Sequence, residues 1–370
     1  GFANKVTEMY GRLGAVGIKI SKAANTMKAA MSSTDLSFPL RQGIGMIHKS
    51  EWRNATKEQL KYFAKPEYFK DAMQAIEDRP KYLLGRESGL FLAKPGGLLN
   101  GEEAFMNNYI GDIPKGIKGL YIRNIEEASE RAYIGGLNKL RSDLYDNLTT
   151  LAEKAGNKVT SIKQIKDTKG NFVLDENGNV KTVTVPTEIA ENIANYINVF
   201  TGRGKLGKLE PIAMTLNNVF WSPRLISSRL TALNPKFYMD LDPFTRKEAI
   251  KSLFAIATAS TVINSLGALA GGAIGLNILS SDFAKTRFKP SNNVLDPSGG
   301  YQQAIVAAAR MIAELNRMSS GGKKDYSQPN IPEIAGNYMI NKLGPAAGLA
   351  YDIASAKQFT GKGEYTDRFG

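Results

Sequence analysis

Residues 252–281 have the sequence SLFAIATASTVINSLGALAGGAIGLNILSS, and the rest of the chain is organised around this stretch. It holds thirty residues without a formal charge, in a chain of which 22% is charged. About 20 helical residues cross the hydrocarbon core of a bilayer, so the stretch is long enough for a membrane span. However, polar residues interrupt it, and its later part is rich in Gly and Ala rather than Leu. Two interpretations therefore stay open: a helical hairpin buried in protein, or a segment that can enter a bilayer.

Three glycines in this stretch, Gly267, Gly271 and Gly275, recur every four residues. On an α-helix this spacing forms a stripe of small residues, which lets a second helix approach closely in lipid or in a tight soluble core. We therefore predict a helix-packing or membrane-contacting face at these glycines. Charged residues flank the stretch; they are Arg246, Lys247, Lys251, Asp282, Lys285, Arg287 and Lys289.

Composition limits the classes of function. With 370 residues, 42% of them hydrophobic, the chain can bury a sizeable core and form two or three domains. Lys and Arg number 48 against 35 Asp and Glu, and the net charge of +13 favours polyanions such as DNA or an anionic membrane surface. Cys is absent and His48 is the single His, which excludes disulfides, thiolate metal sites and His clusters. We expect no catalytic, cofactor-binding or metal site, and no cofactor.

Hydrophobic periodicity predicts mainly α structure, because apolar residues recur at spacings of three, four and seven. The predicted helices cover residues 2–31, 54–76, 114–155, 186–200, 304–318, 331–343 and 345–356. Residues 85–101 are rich in Gly and Leu, a composition that predicts a loop. Within residues 162–185, two β-favouring runs flank Asn177-Gly178, a strong hairpin signal. The predicted fold is an irregular multi-helix assembly with one small β-hairpin inserted at about 162–185.

Three regions follow from this pattern. The first is an N-terminal helical region, residues 1–113. The second is a long-helix region with the hairpin and a basic segment, residues 114–251. The third contains the apolar stretch and the C-terminal helices, residues 252–370. The long helix carries Glu126, Glu127 and Glu130, which we interpret as a solvated helix face rather than acid/base groups. We expect the Gly135-Gly136 pair to loosen or kink that helix.

The basic segment, residues 202–251, contains nine basic and four acidic residues. It begins GRGKLGKL, which has the Gly and Lys spacing of a phosphate-binding P-loop. However, Leu209 stands where a Ser or Thr hydroxyl would hold Mg²⁺, and the preceding residues are helical in pattern, so we interpret it as a glycine-rich basic turn. Cations here can still meet DNA phosphates. The candidate contacts are Arg203, Lys205, Lys208, Arg224 and Arg229.

Six segments of the chain resemble a region of the large polyvalent proteins of phages, and of the internal virion (ejection) proteins of short-tailed phages. They are STDLSFPLRQG (33–43), GEEAFM (101–106), ASERAYIGGLNKLRSD (128–143), NVFTGRGKLGKLE (198–210), WSPRLISSR (221–229) and SSDFAKTRFKPSNNVLDPSGGYQQ (280–303). The resemblance spans nearly the whole chain, although the related pattern more often has Gly at the position of Ala284. It brings no catalytic residues with it.

The resemblance implies a non-enzymatic structural module of a phage internal virion protein. Such a module lies with DNA in the virion interior, is delivered to the host cell envelope or cytoplasm, and helps to form a conduit for genome translocation. Its expected partners are other internal, portal and tail proteins, further copies of itself, phage DNA bound non-specifically, and the host membrane. The alternative is a non-enzymatic scaffold or linker of a giant phage polyprotein, of the virion RNA polymerase or antirestriction type, whose enzymes lie elsewhere.

Overall fold

The computed structural model describes residues 38–93, 117–166, 168, 171–176, 179–289, 293–320, 329–344, 347–348 and 351. Over these residues the fold is mainly α, as the sequence predicts, and it contains two small antiparallel sheets. The predicted helix over residues 2–31 lies outside the described residues, and so does most of the one predicted over residues 345–356.

Helices and strands alternate irregularly along the chain. The helices are α1 (Phe38–Arg41), α2 (Ser50–Ala64), α3 (Pro66–Glu77), α4 (Tyr82–Glu87), α5 (Ile117–Lys154), α6 (Glu188–Phe200), α7 (Ala213–Val219), α8 (Pro223–Ala232), α9 (Pro235–Asp240), α10 (Pro243–Leu269), α11 (Tyr301–Ser319) and α12 (Ile331–Ile340). The strands are β1 (Thr160–Gln164), β2 (Thr182–Pro186), β3 (Ala273–Ile274), β4 (Thr286–Phe288) and β5 (Asn293–Leu295). Two 3-10 helices cover Ile44–Met46 and Gly207–Ile212.

Helix α5 lies at the centre of the fold, with α2, α3 and α6 packed against it. Its buried stripe includes Leu137, Leu140 and Leu144, at the helical spacing that the sequence predicts. The helix runs through Gly135-Gly136 without interruption. A Cβ atom at Gly135 would lie 2.6 Å from a ring carbon of Tyr62, so this glycine permits close packing of α2 instead of breaking α5.

Two predicted boundaries are wrong, and the first has a clear backbone reason. The helix predicted over residues 54–76 is divided into α2 and α3 at Lys65, whose φ of −133° and ψ of 104° are extended. Pro66 has no N–H to donate and disfavours a helical conformation at the residue before it, so it begins a new helix instead of continuing the old one. Within the loop predicted over residues 85–101, α4 continues as far as Glu87, and the chain then buries Leu90.

The inserted hairpin is confirmed, with different pairing from that expected. β1 pairs with β2 in antiparallel register from Thr160 with Pro186 to Gln164 with Thr182. The first of the two predicted β-favouring runs, residues 170–174, takes part only in isolated bridges over its described residues, such as the one between Leu174 and Val180. A second sheet, in the order β3-β4-β5, was not predicted, because strands of two or three residues are too short to show alternation.

The first part of the apolar stretch, residues 252–269, is the C-terminal part of helix α10. Asp242 caps its start by accepting hydrogen bonds from the backbone N–H groups of Phe244 and Thr245. At its end the N–H of Gly271 bonds to the carbonyl of Ala268, and that of Gly272 to the carbonyl of Gly267, which is a Schellman motif. The small sheet follows, so the expected helical hairpin is wrong: one helix is followed by strands.

Candidate functional site on an exposed helix face

The first half of α10 is anchored in the core. Glu248 and Ser252 are buried, and the hydroxyl oxygen of Ser252 lies 2.7 Å from that of Tyr196 in α6. Burial raises the pKa of Glu248, but hydrogen bonds from Lys251 and Lys49 outweigh it and bring that pKa below its usual value. These contacts fix the start of α10 relative to the rest of the helical body.

From Phe254 onward, one side of α10 presents uncharged apolar side chains to solvent. Phe254, Val262, Leu266 and Leu269 are 68, 52, 60 and 84% exposed. At about 100° per residue, these four positions fall within about a third of the helix circumference. The opposite side of the helix is buried against the fold; its residues are Ile256, Ser260, Asn264 and Gly267.

The loop between β3 and β4 also exposes apolar side chains, those of Leu276, Ile278 and Leu279. We define the apolar face as Phe254, Val262, Leu266, Leu269 and Leu276. Among the described residues, α10 is the one helix long and apolar enough to cross a membrane, and its most apolar 18-residue window has a mean hydropathy of 1.5 with 28% buried. Large apolar side chains exposed on one side of a helix are typical of surfaces that contact a membrane or a partner, and here the exposed Thr258 and Ser265 lie among them.

The predicted face of Gly267, Gly271 and Gly275 is not present as a helix face. Gly267 lies in α10, where a Cβ atom would stand 3.0 Å from the side chain of Thr286 in β4. Gly271 has a φ of +90° and ends the helix, and a Cβ atom at Gly275 would meet the carbonyl oxygen of Asp282 at 2.0 Å. These glycines therefore serve helix termination and close approach of the small sheet.

Two of the five candidate phosphate contacts, Arg203 and Arg229, are buried. The guanidinium carbon of Arg203 lies 3.6 Å from the centre of the Phe91 ring, and that of Arg229 lies 5.9 Å from the centre of the Tyr301 ring. Burial lowers the pKa of Arg229 to about 10. In this fold both side chains face aromatic rings inside the protein, so the prediction that they contact DNA phosphates does not fit their positions.

The other three candidates differ in their surroundings. Arg224 donates two hydrogen bonds to the carboxylate of Glu210, at 3.0 and 2.7 Å, a bidentate pair that lowers the pKa of Glu210. Lys205 and Lys208 are exposed. The five cations therefore do not form one exposed row, and the two lysines are the ones a polyanion can reach.

The glycine-rich turn has a packing explanation. Gly202 has a φ of +84°, in the left-handed region that favours glycine. The backbone of Gly204 passes so close to α8 that a Cβ atom there would lie 2.3 Å from the backbone nitrogen of Ser228. The glycines that give this segment the spacing of a P-loop are therefore explained by the tight turn that joins α6 to the following helices.

Glu130 on α5 differs from the solvated face predicted for Glu126, Glu127 and Glu130, because its side chain is buried. Burial, with a smaller contribution from the charge of Glu127, raises the pKa of Glu130 to about 7, and the charge of Arg131 opposes the rise. A carboxyl group with a pKa near neutrality is common at functional sites and also occurs in buried structural positions. The sequence gives no signal of it, since one turn of a long helix passes from solvent to core within three or four residues.

Within the described ranges, no group of three or more His, Asp or Glu side chains is placed to hold a metal ion. No family model, curated protein or solved structure matches this chain.

Proposed function

We propose that this chain is a non-enzymatic structural module of a phage internal virion (ejection) protein, and that its apolar face contacts the host membrane. In this proposal the module is packaged with DNA and delivered to the cell envelope. There, copies of it and other internal, portal and tail proteins help to form a conduit for the genome. The membrane contact is supported by one observation, the five large apolar side chains that the apolar face exposes. Burying such a side chain is worth about 1.5–3 kcal/mol.

The charges around the apolar face suit an anionic bilayer. Residues 252–281 carry no formal charge, and Lys247, Lys251 and Lys289 beside them are exposed. Long basic side chains can stay at the depth of the lipid headgroups while the apolar residues enter the acyl region. Because the opposite side of α10 packs on the fold, this geometry favours a helix that lies in the membrane interface.

Contact with DNA in this proposal is electrostatic and independent of sequence. The net charge of +13 and the exposed Lys205 and Lys208 support it. Binding through phosphate neutralisation releases counterions, so the affinity should fall steeply as salt is raised.

Vesicle binding tests the membrane contact. The wild-type chain should bind vesicles of phosphatidylglycerol and phosphatidylcholine and release an entrapped dye, and the double variant Leu266→Glu, Leu269→Glu should bind at least tenfold more weakly. A charge moved into the acyl region costs about 2.5–3.5 kcal/mol, which supports an effect of that size. Leu83→Glu is the matched control, because Leu83 is 69% exposed on α4 and lies outside the apolar face. Equal binding by the double variant and the wild type would contradict the proposal.

The second candidate is a non-enzymatic scaffold or linker of a giant phage polyprotein. It is favoured by the burial of the first half of α10, where Ser252 contacts Tyr196. If the chain has this function, it should be a soluble monomer without detergent and should not bind vesicles. Mass spectrometry of purified phage particles adds a separate test, because the ejection proposal requires these peptides in the virion.

A further inference from the structure

A cavity of about 430 Å³ lies between the small sheet, α11 and α12. Its wall includes Lys285 before β4, Asp296 after β5, Gln302 and Arg310 on α11, and Tyr338 on α12. Segments distant in the sequence therefore converge on one concave surface. None of these residues belongs to the apolar face or to the basic segment.

Three polar side chains in this wall have unused hydrogen-bonding capacity. Lys285 is only 8% exposed, and its ammonium group forms no ion pair or hydrogen bond with any described residue. Gln302 is 1% exposed; its Nε2 donates to the carbonyl oxygen of Ser281 at 2.8 Å, but its Oε1 has no partner among the described residues. The hydroxyl of Tyr338 is buried without a partner there as well. A buried polar group left unsatisfied costs on the order of 1–3 kcal/mol, so a polar ligand that pairs with Oε1 of Gln302 and the hydroxyl of Tyr338 would recover that free energy.

Positive charge dominates the surroundings of the cavity. Lys342 donates a hydrogen bond to Gln303, which lines the cavity, and burial, together with the positive charges of Arg229, Arg41 and Lys285, lowers the pKa of Lys342 to about 8. Asp296 opposes this effect with its negative charge. Like charges gathered in a partly buried place repel one another, so an anion bound among them would relieve the repulsion.

We propose that this cavity binds a phosphate-type anion. Lys285 and Tyr338 donate hydrogen bonds to the phosphate oxygens, and Oε1 of Gln302 accepts one from a P–OH group or from a hydroxyl of the bound molecule. Charge-assisted hydrogen bonds of this kind are about twice as strong as neutral ones. The volume lies within the usual range for small-molecule sites, about 300–1,000 Å³. The proposal does not depend on membrane contact by α10.

The phosphate can come from solution or from a lipid headgroup. Nε of Arg310 donates to the carbonyl oxygen of Leu279 at 2.7 Å, and the side chains of Leu279 and Ile278 are exposed beside it. A headgroup could therefore enter the cavity while its acyl chains cover this loop. Dissolved phosphate would fill the cavity without contact to the loop.

The test is calorimetric titration of the full chain with inorganic phosphate at constant ionic strength, without membranes. We expect saturable binding by the wild type, at least tenfold weaker binding by Lys285→Gln, and a smaller loss with Tyr338→Phe. Lys205→Gln is the matched control, since it removes an exposed cation outside the cavity. A parallel titration uses dihexanoyl phosphatidic acid below its micelle concentration. If it binds tenfold more tightly than phosphate, the headgroup is the source, and equal affinity assigns the site to dissolved phosphate.

Thermal unfolding separates a bound anion from a general salt effect and from misfolding. Phosphate stabilises many proteins by exclusion from their surfaces, and that effect would be the same in every variant. We expect phosphate to raise Tm more for the wild type and Lys205→Gln than for Lys285→Gln. Without phosphate, Lys285→Gln should unfold at or above the wild-type Tm, because the substitution removes a repelling charge. Absence of saturable binding by the wild type, or equal affinity for the wild type and Lys285→Gln, overturns the proposal.

Discussion

The hydroxyl oxygens of Tyr196 and Ser252 lie 2.7 Å apart in the core, where they join α6 to α10. Both residues are fully buried, and burial raises the pKa of Tyr196 well above its usual value. The contact falls at the start of the uncharged stretch, so the point where the sequence loses its charges is also the point where α10 is fixed to the protein. Beyond it, one side of the helix emerges into solvent.

Removal of this hydrogen bond should destabilise the fold measurably. We expect Ser252→Ala to lower the free energy of unfolding by about 1–2 kcal/mol, because it leaves the buried Tyr196 hydroxyl with only the weak acceptor Sδ of Met46, 3.5 Å away. Ser265→Ala on the same helix removes an exposed hydroxyl and should change stability by less than about 0.5 kcal/mol. Urea unfolding followed by circular dichroism compares the two. Equal effects would mean that α10 is not held at Ser252.

Ala284 adopts a φ of +55°, and among the described residues it is the non-glycine residue with positive φ. The left-handed region costs an L-residue roughly 1–2 kcal/mol, whereas glycine enters it freely. Ala284→Gly should therefore stabilise the protein by up to about 1 kcal/mol, after the greater freedom of glycine in the unfolded chain offsets part of the gain. The measurement is the change in Tm, and a lower Tm would contradict the assigned conformation.

The sequence predicts most of the helical body, because its long elements have strong periodicity. The spacing of Leu137, Leu140 and Leu144 is sufficient to predict α5, and all three side chains are buried in the fold. The apolar stretch is different, since Gly and Ala are compatible with a helix, a turn or a short strand. Whether Gly271 belongs to a helix or ends one depends on its φ, which the fold determines.

Charge alone likewise fails to separate buried cations from exposed ones. Arg203 and Arg229 carry positive charge as Lys205 does, yet the two arginines face aromatic rings that come from distant parts of the chain. The candidate phosphate contacts could therefore be named from the sequence, but their accessibility could not. The cavity beside Lys285 could not be predicted either, because four separate segments form its wall.

Glu130 should make stability depend on pH near neutrality. Its pKa is raised from 4.5 to about 7 in the folded protein, so between these values the native state holds more protons than the unfolded state. The free energy of unfolding should consequently fall as pH rises through this window, by on the order of 3 kcal/mol. Glu130→Gln should remove that loss, so that the variant gains stability over the wild type at pH 8 but not at pH 4.5. Urea unfolding at several pH values measures the difference, and Glu188→Gln, at an exposed carboxyl of α6, is the matched control.

Truncation of a side chain should destabilise the protein strongly on the buried side of α10 and only slightly on its exposed side. Ile256 is buried and Leu266 is 60% exposed on the same helix. Ile256→Ala should cost about 2–5 kcal/mol, because it removes buried methyl groups and leaves a cavity. Leu266→Ala should change the free energy of unfolding by less than about 0.5 kcal/mol, because the Leu266 side chain is largely in water and buries little surface on folding.

Thermal unfolding of the wild type and of both variants, in buffer alone and with anionic vesicles, extends the comparison. A ligand that binds only the native state stabilises it by mass action, so vesicles should raise the Tm of the wild type and of Ile256→Ala by similar amounts. Leu266→Ala should gain less, because it carries less apolar surface into the bilayer. If Leu266→Ala instead lost several kcal/mol in buffer alone, then a second copy of the chain would already cover the apolar face in solution. Sedimentation equilibrium would then show an oligomer, and the membrane would not be the first partner of this surface.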